Sequence, residues 1–137
     1  MEICCEVNRM VRHPDLRQRF DADQPRLEVI EALRAIGEPM TVAVVFGFWC
    51  PDSLRIVPQV LKAVVEADNE NLQVLAASVP LEETHDLPIR VGPISVRRFP
   101  TVALLRGKYE RSEEIPEGAE VLRFVEEPLD AARLKLG

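Results

Sequence analysis

Three apolar runs dominate the hydropathy pattern of the chain. Thr41 to Phe48 is almost continuously apolar and rich in β-branched residues, the pattern of a strand buried on both faces inside a sheet. Leu72 to Val79 is a second such run, and Thr101 to Arg106 reads as a third strand. Between the first two, Leu54, Val57, Leu61, Val64 and Val65 form an apolar stripe that predicts a helix over about Pro51 to Ala67. Pro58 falls inside that helix. There it removes one N–H and crowds the preceding turn, so a kink is expected. A strand, a helix and a strand of these lengths read as a right-handed βαβ unit.

Leu27, Ile30, Leu33 and Ile36 recur at near-helical spacing and predict an earlier helix at about 24–36. Asp23 can cap it, Pro25 suits its first turn, and Gly37 and Pro39 stop it. Residues 1–22 are ambiguous. Ile3 to Val7 reads as a short strand or as a helix start, and His13-Pro14-Asp15 reads as a turn. Pro80, Pro88, Gly92 and Pro93 exclude a long helix over 80–98 and leave room for a short helical piece around 82–87. A fourth strand is expected at about 120–125. Pro128 then opens a final helix, with Leu129, Ala132 and Leu136 on one face. The loop at 107–119 is too short for a crossover helix and a parallel return, so the last two strands should be antiparallel neighbours. This order predicts an α/β fold: a central mixed sheet of four to five strands flanked by helices on both faces.

Composition narrows the class. A chain of 137 residues fits one domain over 1–137, read here as an extension and first helix (1–37) followed by a core (38–137). Hydrophobic residues make up 47% and charged residues 29%, as in ordinary globular proteins. No apolar run approaches the ~20 residues of a membrane helix, and Met1 to Glu6 lacks the pattern of a signal peptide. The expected compartment is the cytoplasm, with no membrane partner. The net charge of -6 argues against nucleic acid, whose affinity comes mainly from Lys and Arg on phosphates. Arg97-Arg98 reads as solvated surface. Three cysteines do not make a disulfide framework.

The candidate chemistry lies in Phe48-Trp49-Cys50-Pro51-Asp52-Ser53. A buried strand that turns at once into a helix puts the Cys50 sulfur on a helix N-terminus. Unpaired N–H groups and the positive dipole end favour thiolate over thiol there, while Asp52 adds an opposing negative charge.

The order of elements, with these residues, resembles the thioredoxin superfamily over about residues 38–137. Phe48-Trp49-Cys50-Pro51 is similar to the family's Trp-Cys-x-x-Cys segment. Pro58 lies eight residues past Cys50, where thioredoxins carry a helix-kinking proline. Arg98-Phe99-Pro100-Thr101-Val102 is similar to the hydrophobic-Pro-Thr turn, whose proline is cis in the family and faces the active cysteine. Gly107-Lys108 falls at the family's hairpin turn. The resemblance implies the thioredoxin fold, Cys50 and Ser53 as the catalytic pair of positions, and Trp49, Pro51, Phe99 and Pro100 as the substrate-binding rim. It implies no cofactor and no metal.

The departures from the family pattern matter equally. Ser53 stands where the resolving cysteine would be, so Cys50 can form a mixed disulfide but cannot clear it by the dithiol route. Ser53 is expected either to donate a hydrogen bond to the Cys50 thiolate or simply to fill the space. Val44 replaces the family's buried Asp, and its partner lysine falls near Ala76. One of Cys4 and Cys5 is a candidate substitute resolving thiol, should the N-terminus lie over the site, and both also read as packing residues. His13 and His85 have no ligand-spaced partners.

Three functions follow as expectations. The first is monothiol thiol–disulfide exchange through Cys50 with a protein or glutathione disulfide, resolved by an external thiol. The second is a non-enzymatic binding module that uses the groove beside Pro100. The third is a redox sensor in which Cys50 is oxidised reversibly.

Overall fold

A computed structural model describes residues 1–109 and 115–125. Among the described residues, seven strands and four α-helices follow one another: β1 (Glu2–Cys4), α1 (Val7–Met10), α2 (Pro14–Ala22), α3 (Leu27–Arg34), β2 (Met40–Phe46), α4 (Pro51–Ala67), β3 (Leu72–Ser78), β4 (Ile89–Val91), β5 (Ile94–Val96), β6 (Thr101–Arg106) and β7 (Val121–Val125).

Five of the strands form one mixed sheet in the order β1-β3-β2-β6-β7. The expected mixed α/β architecture is therefore present. β2 runs parallel to β3 and antiparallel to β6, and β6 runs antiparallel to β7. All seven residues of β2 are buried. A central strand covered on both faces is apolar almost throughout, which accounts for the run in the sequence; its one polar residue, Thr41, is fully buried with its hydroxyl donating to the Gly107 carbonyl at 2.7 Å.

Alternation along β2 divides the core in two. Val42, Val44 and Phe46 face a layer built by Leu16 of α2, Ile30 and Leu33 of α3, and Val57 and Leu61 of α4. Ala43 and Val45 face the other way, against Val91, Ile94 and Val96 of the β4–β5 hairpin and against Ile115 and Ala119. Each large apolar side chain buried in this way contributes about 1.5–3 kcal/mol. Among the described residues, the helices thus cover one face and the hairpin covers the other. The helix expected from Pro128 lies outside the described residues.

The hairpin turn requires a glycine. Gly92 has φ of +57°, and a Cβ there would stand 2.4 Å from the Ile115 carbonyl oxygen. The proline- and glycine-rich stretch that excluded a long helix has become a two-residue turn closing a buried ribbon. The short helical piece expected around 82–87 is a single 3₁₀ turn at Leu81–Glu83.

The N-terminal third departs most from expectation. His13-Pro14-Asp15 is not a free turn. It opens α2, with the His13 ring nitrogen accepting the Asp15 N–H. Asp23 caps no helix start, because it ends α2; α3 begins at Leu27 behind Arg26. Leu27, counted on the apolar stripe, is exposed, while Val29 and Ala32 are buried beside Ile30 and Leu33. The stripe of α4 is rotated likewise: Ile56, Val57, Val60 and Leu61 are buried and Val65 is exposed. Pro58 is inside α4 and buried.

Residues 1–37 are more than an appendage. β1 adds an edge strand antiparallel to β3, and the fully buried Leu16 belongs to the helical layer. No helix among the described residues is long and apolar enough to cross a membrane.

Candidate functional site

β2 ends at Phe46, and α4 begins at Pro51. The four residues between them make a tight turn that aims Cys50 out of the sheet end. Two hydrogen bonds hold the turn. The Cys50 N–H donates to the Gly47 carbonyl at 3.0 Å, and the Gly47 N–H donates to the Ser53 hydroxyl oxygen at 3.2 Å. Gly47 has no room for a side chain, since a Cβ would lie 2.4 Å from the Trp49 ring.

Cys50 is the N-cap residue of α4, with φ -99° and ψ 117°. Pro51 takes the first helical position, which needs no N–H donor and favours its fixed φ. The half-buried Cys50 sulfur lies 3.6 Å from the Phe99 carbonyl oxygen, in reach of a weak S–H donation. The Phe99–Pro100 peptide is cis, as the resemblance implied; the Leu87–Pro88 peptide is cis as well.

Aromatic contacts complete the rim. Trp49 meets Phe99 edge to face at 5.2 Å between ring centroids, and its indole N–H donates to the Val79 carbonyl at 2.8 Å. On the other flank, the His13 ring stacks on Phe48 at 4.1 Å, and Phe48 meets Phe46 edge to face. Both Phe48 and Trp49 keep more than a third of their surface exposed. The fold thus gathers Trp49, Cys50, Pro51, Phe99 and Pro100 at one end of the sheet.

Ser53 is placed differently from one of its two expected roles. It is fully buried, and its hydrogen bond is with Gly47 rather than with Cys50. Val44 and Ala76 are register partners on β2 and β3, both buried in the helical layer. Both positions are therefore apolar packing.

Cys4 ends β1 and Cys5 follows it, and neither is in a disulfide. Glu2 pairs with Ser78 and Cys4 with Ala76, so β1 runs away from the sheet end that carries Cys50. Cys4 stands opposite Ala76, which stands opposite Val44, so two strand spacings, about 9–10 Å, separate Cys4 from β2.

A groove of about 550 Å³ adjoins Phe99 and Pro100. Ile56, Val60, Val102 and Phe124 give it an apolar floor; Arg97, Arg98 and Asp52 line its rim. Asp52 pairs with Arg55 at 3.3 Å. Sequence reading missed Gly47, His13 and the two arginines as parts of this region. The only signal was their nearness in sequence to Cys50 or Pro100, and for His13 there was none. Among the described residues no cluster of three His, Cys, Asp or Glu side chains is placed to hold a metal ion.

Comparison of the chain with protein-family models, with curated proteins and with solved structures finds no match.

Proposed function

We propose that the chain is a thioredoxin-like protein that carries out thiol–disulfide exchange by a monothiol route through Cys50. One observation carries the reading. The Cys50 sulfur sits at the start of α4, half-buried, 3.6 Å from the Phe99 carbonyl and beside an open groove. That places a nucleophile where an extended chain can reach it.

In the first step the Cys50 thiolate attacks one sulfur of a partner disulfide. A bond forms from Cys50 to that sulfur, the partner's S–S bond breaks, and the second sulfur leaves as a thiolate that takes a proton from solvent. In the second step an external low-molecular-weight thiolate attacks the partner's sulfur, and Cys50 leaves as thiolate. The partner keeps a mixed disulfide with the external thiol. A second molecule of that thiol reduces it. The external thiol supplies both electrons, so no second cysteine is needed. Trp49, Pro51, Phe99 and Pro100 form the rim against which the partner lies. The proposed setting is the cytoplasm, where such thiols are kept reduced.

A second reading, a binding module without turnover, draws on the packing at Val44 and Ala76 and on the hydrogen bond that turns Ser53 to Gly47. One trapping experiment separates the two. The protein with Cys4 and Cys5 changed to Ser is mixed with a disulfide-bearing peptide, and the adduct is read by intact mass. An adduct that forms through Cys50, is absent in Cys50→Ala, and is released by glutathione supports exchange. No adduct, with peptide binding retained in Cys50→Ala, leaves only the binding module.

A further inference from the structure

One histidine ring lies against the turn that carries Cys50. Phe48 stands between Gly47 and Trp49 in that turn and meets rings on two sides. Phe46 touches it edge to face at 5.0 Å between centroids; His13 stacks on it at 4.1 Å, with 22° between the planes. Phe46 ends β2 and is buried in the helical layer. His13 is anchored as firmly. Val11 and Leu16 on either side of it are buried, and its carbonyl accepts the Leu16 and Arg17 N–H groups at 3.0 and 2.9 Å. Its Nδ1 accepts the Asp15 N–H at the start of α2. A helix cap needs only that acceptor, which Ser, Asp or Asn would also supply. Capping therefore does not account for the ring, and the stack on Phe48 is the contact that uses it.

We propose that His13 is a positioning residue for Cys50: its ring clamps Phe48 against Phe46 and so fixes the turn from Gly47 to Cys50. Residues 1–37 lie outside the stretch that resembles the thioredoxin superfamily, so this support comes from the chain's own N-terminal segment. The hydrogen bonds of the turn tie Gly47 to Cys50 and to Ser53. Phe48 lies between those tied points, and a Phe48 free to swing would carry Trp49 and the Cys50 sulfur with it. Stacked and edge-to-face rings resist such motion, because each pair has a preferred geometry and adds to simple burial. A nucleophile held in one orientation reacts faster than one that samples many. The effect on rate rests on the thiol–disulfide reading; the fixing of the turn does not.

The test separates the ring from the cap, in the full chain with Cys4 and Cys5 changed to Ser. His13→Asn keeps an acceptor for the Asp15 N–H and removes the ring. His13→Phe keeps a flat ring and removes the acceptor. The His13 side chain is 40% exposed, so neither change empties the core. Two quantities are read beside the urea midpoint. One is the rate of adduct formation at Cys50 with a disulfide-bearing peptide; the other is the near-ultraviolet circular dichroism of Trp49, the single tryptophan. His13→Asn should slow the adduct about fivefold and weaken the Trp49 signal. His13→Phe should leave both close to the parent chain while lowering the urea midpoint, since it uncaps α2. In a Phe48→Leu background, His13→Asn should change neither quantity further.

An unchanged rate and Trp49 signal in His13→Asn, a loss in His13→Phe equal to that in His13→Asn, or an undiminished effect of His13→Asn in the Phe48→Leu background would each overturn the proposal. If the parent chain forms no adduct, the exchange reading fails by itself, and the Trp49 signal still decides the role of His13.

Discussion

Ser53 shows how one side chain's role depends on what it reaches. Its position suggested either help for Cys50 or a space filler. Folding turns it toward Gly47, whose N–H it accepts at 3.2 Å inside the β2–α4 turn. Ser53→Ala should leave that buried N–H unpaired and lower stability by about 1–3 kcal/mol, read as a shift of the urea midpoint. The rate of mixed-disulfide formation at Cys50 should stay nearly unchanged. A large loss of rate at unchanged stability would instead place Ser53 in the chemistry. Residue type alone did not distinguish these roles, because the hydroxyl's partner lies six residues back across a turn.

Between elements, the loop after α4 joins two helix ends. Asp68 ends α4 in the left-handed conformation, with φ of 47°. Asn69 then donates to the carbonyls of Leu33 and Ile36 at 3.0 and 2.8 Å and accepts the Asn71 N–H at 3.0 Å. In return, Arg34 from the end of α3 donates to the carbonyls of Glu66 and Ala67, a cation on the negative end of the α4 dipole. Each helix end thus finds partners for carbonyls that helices leave open. Asn69→Ala should cost about 2 kcal/mol, since it strips several partly buried groups at once. Asn69→Asp should recover only part of that, because it restores the acceptor for Asn71 but no donor. Equal stability of the Ala and wild-type proteins in urea would show that water replaces Asn69. The helices themselves were legible from periodicity. Their mutual capping was not, because it joins residues more than thirty apart.

For the whole molecule, acid response has a named contributor. Asp23 lies between α2 and α3, and burial pushes its carboxyl pKa above 3.8; the Gln24 N–H and Lys62 oppose that shift, and Glu66 adds to it. Its Oδ2 is buried without a hydrogen-bond partner among the described residues. A carboxyl raised in the folded state penalises folding while it is charged. The penalty is present above the folded value, falls as pH drops through it, and is gone below 3.8. Asp23→Asn should therefore stabilise the protein at neutral pH. The gain should be small, about 0.5 kcal/mol, because Asp23 is only partly buried and solvent around it screens its charge. It should shrink as pH falls toward 3.8, read as the difference of urea midpoints. A loss of stability at neutral pH would mean that the charged carboxylate is held by Lys62.

The sequence by itself determined the middle of the molecule. A run rich in β-branched residues and almost wholly apolar permits little but a central strand, and the βαβ order with a short last loop leaves few ways to pair the strands. The same local patterning put Cys50 at a helix start, because strand, turn and Pro51 are consecutive. Tertiary structure alone decided the rest. It joined residues 2–4 to the sheet edge, set His13 on Phe48, and covered the second face with a hairpin. It also ran β1 away from the sheet end that carries Cys50 and set Arg97 and Arg98 on the groove. Periodicity reports only which face of an element is apolar. Which distant surface meets that face is decided by packing, where many weak contacts act together and no single local pattern records the outcome.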